Sequence, residues 1–171
     1  PYINNILDSI LTEDVDLFKK SMFPMVNHGL KTYFYGILNG LTPLKYFKDE
    51  LELQTMYFAG LSNIVALLGG KLKSEQYLSG TMANILSNLY LAHSVVWYEK
   101  HNNISKTMKD YCVTRLCNEN KILFNKVIDN YNGFGLLLYP YKQKIVSENF
   151  SNNELVMNEL MNNKDFLESI K

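Results

Sequence analysis

The side chains best suited to nucleophilic, acid–base or metal chemistry in this sequence are His28, His93, His101, Cys112 and Cys117. No two histidines stand at a metal-ligand spacing, and no HExxH or comparable motif is present. His93 falls on the edge of a helical apolar face, between Leu89 and Trp97. An imidazole there without an acidic or nucleophilic partner reads as a hydrogen-bonded structural residue. His101 sits near a helix C-terminus, which mildly favours a cation. The two cysteines are five residues apart on one predicted helix, so they face different directions and match neither a zinc nor a redox spacing. They read as free thiols of a reducing compartment. Asp49, Glu50 and Glu52 read as a solvated helix start, and Glu154 and Glu159 as part of a polar helix face. Gly69-Gly70 follows a helix rather than a strand, so it closes a hairpin and is no phosphate loop. The residues themselves therefore point to no catalytic, cofactor-binding or metal site.

The one stretch that asks for a partner is Phe134-Gly135-Leu136-Leu137-Leu138-Tyr139-Pro140-Tyr141. Phe134, Leu136, Leu137, Leu138 and Tyr139 place large apolar side chains close together just before a proline. Two placements satisfy such a patch: the groove of its own bundle, or a docking surface for another domain or a membrane interface. Those five residues are the candidate docking surface. Only Lys142 and Lys144 lie nearby as cations, which favours protein over lipid as the partner.

The elements that carry these residues are helical. Leu78, Met82, Ile85, Leu89, Ala92 and Val96 recur at three- and four-residue steps, and Leu86, Tyr90, His93 and Trp97 repeat one place on. A helix with so broad an apolar face is expected at the centre of a bundle. It is preceded by Gly69-Gly70, a left-handed stop signal, with Ser74 as its expected N-cap. Before it, a short helix over 1–11 precedes a turn at Thr12-Glu13-Asp14. Val15 to Phe23 continues helically to Pro24, where a break or kink is expected because proline removes a donor and clashes with the preceding turn. Val26, Leu30, Tyr33, Ile37 and Leu41 form the next stripe. A second long helix runs from Phe47 or Lys48 to Leu68, and a fourth, capped by Ser105, runs to Tyr131. Ser151-Asn152-Asn153-Glu154 is a capping-box signal for a last short helix to about Met161. The pattern predicts an all-α fold: an antiparallel bundle of about four main helices with short C-terminal helices. Residues 1–145 form the bundle and 146–171 a short helical tail.

The chain has 171 residues, enough for one domain with a real core, and 47% of them are hydrophobic. Its 17 Lys and Arg balance 17 Asp and Glu, which argues against nucleic acid or anionic membrane as a partner. Arg115 is the single arginine, so bidentate phosphate or carboxylate clamps are scarce. No signal peptide is visible, and no apolar run reaches membrane-spanning length. A start at Pro1 rather than Met reads as an excised piece of something larger or a processed product.

Residues Leu67 to Ala92 carry a family resemblance. Gly69-Gly70, Leu72-Lys73, Leu78-Ser79 and Leu86-Ser87-Asn88-Leu89-Tyr90-Leu91-Ala92 resemble the C-terminal helical region of bacterial long-chain acyl-CoA dehydrogenases of the FadE type. Pro1-Tyr2, Phe18, Phe23, Leu30, Gly40-Leu41-Thr42 and the apolar segment ending at Tyr139-Pro140 extend it over about the first four-fifths of the chain. Thr81 and Asn84 stand where the family usually has an Arg and an Asp. The resemblance implies an accessory domain of an enzyme that uses FAD to convert acyl-CoA to trans-2-enoyl-CoA in fatty-acid β-oxidation. It implies that this chain, lacking the catalytic core, binds no FAD and is inactive alone. The implied partners are the catalytic core of the same polypeptide, a second copy in a homodimer, and a weak peripheral contact with a membrane. The implied location is cytoplasmic or peripheral to the inner membrane. The alternative is an independent helical-bundle interaction module without catalytic activity.

Leu89 lies at the middle of the most regular stripe. Leu89→Ala is expected to cost about 2–5 kcal/mol in urea or thermal unfolding, the usual range for a buried leucine.

Overall fold

Asp14 decides where the first two helices part. In the computed structural model, which describes residues 2–41, 49–102, 105–133, 135–145 and 150–162, α1 spans Tyr2–Leu11 and α2 spans Val15–Leu41. The last turn of α1 closes as a Schellman motif. The Asp14 amide donates to the Ser9 carbonyl (3.0 Å) and the Glu13 amide to that of Ile10 (3.4 Å), with Glu13 in the left-handed region at φ 55°. The Asp14 carboxylate then caps α2, accepting from the amides of Asp16 (3.0 Å) and Leu17 (2.9 Å). α2 runs unbroken through Pro24, so the expected break there is absent.

α3 (Glu50–Ala66) starts at Asp49, whose side chain accepts from the Leu51 amide, and α5 (Lys106–Asp129) starts at Ser105, whose hydroxyl accepts from the Met108 amide. The sequence placed the start of α3 at residue 47 or 48; those residues lie outside the described ones. Gly69 takes the expected left-handed backbone, φ +54°, and opens a 3-10 turn, Gly69–Lys73. α4 is Gln76–His101. Ser74 does not cap it: its hydroxyl donates back to the Lys71 carbonyl (2.7 Å), closing the 3-10 turn. α6 (Phe150–Asn162) lies against α5 and buries Val156. All described residues in regular structure are helical, as expected, and no strand occurs among them.

α4 and α5 form the main hairpin, and α3 packs across it. Their shared core contains Leu51, Leu61, Ile85, Leu89, Phe124 and Val127, all 3% exposed or less. Which part of each apolar face is covered departs from expectation in two places. On α4 the stripe Leu78, Ile85, Leu89 and Ala92 is buried, whereas Leu86, Tyr90, His93 and Trp97 are exposed. The helix is covered from one side only, so it is a flank of the bundle rather than its axis. On α2 the inward side is Tyr33, Gly36 and the half-buried Ile37, whereas Val26 and Leu30 point outward.

Glycine stands on both helices where α2 faces α3 and leaves room for an aromatic ring. Tyr141 inserts its ring between the two helices. A Cβ added at Gly36 would lie 3.2 Å from the Tyr141 ring, and one added at Gly60 would fall on its hydroxyl and lie 2.7 Å from Cζ. At Gly60 no side chain fits while the tyrosine remains in place, and at Gly36 the ring would have to shift. Gly60→Ala is therefore expected to destabilise the protein by about 1–3 kcal/mol, the cost of overpacking a core. Adding Tyr141→Phe, which removes the nearest atom, should recover part of that loss in thermal unfolding; equal stability of Gly60→Ala and the parent would contradict the notch.

Candidate functional site

The segment singled out as a docking surface divides between inside and outside. Phe134 lies outside the described residues. Gly135–Leu137 and Tyr139–Tyr141 form two successive 3-10 turns. Leu138 and Tyr141 are fully buried in the bundle's own core, whereas Leu136 and Tyr139 are 87% and 67% exposed and Leu137 is 39% exposed. A 3-10 turn brings every third side chain to one side, so residues 138 and 141 face in together. The part of the segment open to another partner is thus Leu136, Leu137 and Tyr139.

Hydrogen bonds fix the segment against α2. The Tyr33 hydroxyl donates to the Leu137 carbonyl (2.7 Å), and the Tyr141 hydroxyl donates to the Tyr33 carbonyl (2.9 Å). The Tyr141 ring meets those of Tyr33 and Tyr57 edge-on, at centroid distances of 5.7 and 5.4 Å. Burial pushes the Tyr141 phenol far above its ordinary range, so it stays a hydrogen-bond donor. Beyond it, the Asn125 amide donates to the Gln143 carbonyl (2.8 Å) and accepts from the Gln143 amide (2.9 Å). A buried amide, Gln54, donates to the Cys117 carbonyl (2.9 Å) across α3 and α5.

The chemically capable side chains do not converge. His93 is exposed, with Nε2 2.9 Å from the Thr55 hydroxyl. His101 stacks on Trp97 at 4.2 Å, its Nδ1 2.7 Å from the Trp97 carbonyl. His28 lies on the outer side of α2, lining a shallow groove with Leu30 and Phe34. Cys112 is half-buried and Cys117 buried. Among the described residues no cluster of His, Cys, Asp and Glu could hold a metal ion. A groove of about 800 Å3 between the C-terminal half of α4 and the start of α5 is lined by Tyr90, Leu91, Val95, Trp97, Tyr98 and Met108, together with His93, Ser94 and Cys112. No Lys or Arg lines it, so it does not fit the pyrophosphate of a dinucleotide such as FAD.

Sequence reasoning missed the outward stripe of α2, Phe23, Val26, Leu30, Phe34 and Leu38, all roughly half exposed or more. The signal was present: Phe34 and Leu38 widen the stripe of Val26, Leu30, Tyr33 and Ile37 into an apolar face broader than its neighbours α1 and α3 cover. A family model described as acyl-CoA dehydrogenase, C-terminal, bacterial type, matches residues 1–140. No solved structure matches the chain significantly.

Burial of Cys117, helped by the charges of Glu50 and Asp49, pushes its thiol up from 9.0 to about 12. The folded state therefore holds this proton between those values while the unfolded chain releases it, and stability falls as pH rises from about 9. Iodoacetamide at pH 8 should alkylate Cys112 and spare Cys117 until urea unfolds the chain, and the thermal midpoint should drop between pH 8 and 11. Equal labelling of both thiols in the folded protein would contradict the burial.

Proposed function

This chain belongs to the family of bacterial-type C-terminal domains of acyl-CoA dehydrogenases, and from that premise we propose that it is the accessory domain of an FAD-dependent acyl-CoA dehydrogenase of fatty-acid β-oxidation. The parent enzyme converts acyl-CoA to trans-2-enoyl-CoA, and this domain packs on its catalytic core and is inactive alone. The observation that carries the reading is the family match over residues 1–140. The structure is compatible with a supporting role: the Gln54 and Tyr131 side chains tie α3 to the α5 region, and the thiols and imidazoles stand apart.

In the parent enzyme FAD accepts the hydride while a glutamate of the core takes the α proton. No residue of this chain is assigned to either task. Its contribution is apolar surface, which the core needs in order to be covered and oriented. The proposal places the enzyme in the cytoplasm, where acyl-CoA thioesters are made and used. A homodimer and a weak peripheral contact with the inner membrane belong to the same proposal; the balanced charge limits attraction to anionic lipid.

The test compares this chain with the parent enzyme. The parent should purify with flavin absorbance and reduce an acceptor dye with palmitoyl-CoA, whereas this chain alone should do neither. Flavin bound by this chain, dye reduction by it, or a parent polypeptide without an acyl-CoA dehydrogenase core would overturn the reading.

A further inference from the structure

Carboxamides stand deep inside the bundle. Gln54 on α3 and Asn120 on α5 are each 1% exposed. Gln143, just beyond the second 3-10 turn, is half-buried, and its side-chain nitrogen is enclosed. Gln54 Nε2 donates to the Cys117 carbonyl (2.9 Å) and faces Glu50 Oε1 and Gln143 Oε1 at 3.5 Å each. Those neighbours decide which way the amide points. Turned over, it would set its oxygen against three others. Gln143 is oriented by the same rule, because turning it would set its nitrogen against that of Gln54. Its backbone is held on both sides by Asn125.

Asn120 lies three residues on from Cys117, so the two share a face of α5. A helical carbonyl points toward the residues that follow it. The Gln54 amide, seated on the Cys117 carbonyl, is thus on the Asn120 side of that turn. Among the described residues, the buried atoms Gln54 Oε1, Asn120 Oδ1 and Gln143 Nε2 have no hydrogen-bond partner. Native interiors seldom leave even one such atom unpaired, because each has given up its bonds to water.

We infer that this seam is a binding site for one internal water molecule. The water donates to the Gln54 and Asn120 oxygens and accepts from the Gln143 nitrogen. The three atoms call for a small neutral molecule that gives two hydrogen bonds and takes one. Water does this, and internal waters ordinarily make about three bonds to buried polar groups. A cation would be opposed by the Gln143 N–H, and the Lys121 ammonium is already paired with Glu50 beside Gln54. An anion would be opposed by two amide oxygens and by the Glu50 carboxylate. The water gives α3, α5 and the segment of Gln143 one shared partner. It holds the Gln143 side chain where Asn125 already keeps the backbone.

A crystal structure of this chain, at a resolution that shows ordered water, tests the site. Density for one oxygen is expected at about 2.7–3.2 Å from Gln54 Oε1, Asn120 Oδ1 and Gln143 Nε2. In solution, the water resonance should show an Overhauser contact to the Gln143 side-chain amide protons, assigned by their loss in Gln143→Met. A water that stays longer than the protein takes to tumble gives that contact opposite signs in the laboratory and rotating frames. Equal signs would report proton exchange with bulk solvent and would overturn the inference. Density reaching fewer than three of these atoms would overturn it, as would Gln54 and Gln143 joined directly by two N–H···O bonds. A peak ringed by about six oxygens at about 2.3–2.6 Å would mean a cation such as calcium in place of water, and would overturn it too.

Discussion

The placement of Tyr141 between two glycines is the contact on which the arrangement of helices depends. Its ring occupies the space that side chains at Gly36 and Gly60 would fill, and its hydroxyl donates to a carbonyl of α2, that of Tyr33. The same ring packs on Tyr57 of α3. One residue from the end of the bundle thus sets the spacing and rotation of two helices that lie far earlier in the chain. Because a buried hydroxyl without a partner is costly, the Tyr33 carbonyl also fixes how far the ring can turn. α2 then has little freedom to rotate, and its outward stripe is defined by the same contact that buries Tyr33.

The interior polar groups serve the same end. Gln54 reaches from α3 to the Cys117 carbonyl on α5. Tyr131 reaches from the end of α5 to the Ile64 carbonyl on α3 (3.0 Å). Lys121 on α5 pairs with Glu50 at the start of α3, a half-exposed pair whose contribution to stability is modest. Such crossings specify register between helices that hydrophobic burial alone would leave free to slide. They explain why Gln54 sits in the core of a domain whose own residues suggest no reaction.

Helix identity was readable in the sequence because it is local. Periodic apolar residues, the Asp14 turn, the Ser105 cap and Gly69 each act within a few residues, and each stands where it was expected. What could not be read was which sector of an apolar face is covered. Leu86, Tyr90 and Trp97 on α4, and Val26 and Leu30 on α2, are as apolar as their buried neighbours. Their exposure is decided by which helix packs alongside. The apolar run before Pro140 was conspicuous by density, yet Tyr141, which turns inward together with Leu138, enters a notch made by Gly36 of α2 and Gly60 of α3. Gln54 gave no sign of burial either, since its partner is a backbone carbonyl 63 positions away.

The reciprocal pair of Asn125 with Gln143 has a consequence for where this unit can be cut. The apolar run of the sequence stops at Pro140, and a boundary drawn there would look natural. It would discard the ring that separates α2 from α3 and the backbone that Asn125 grips on both sides. A fragment ending at Pro140 would keep every long helix and lose the wedge between two of them. In such a fragment α2 could settle onto Gly60 of α3 in a different rotation, carrying its outer stripe with it. The physical end of the bundle is therefore a few residues beyond the place where its hydrophobicity runs out.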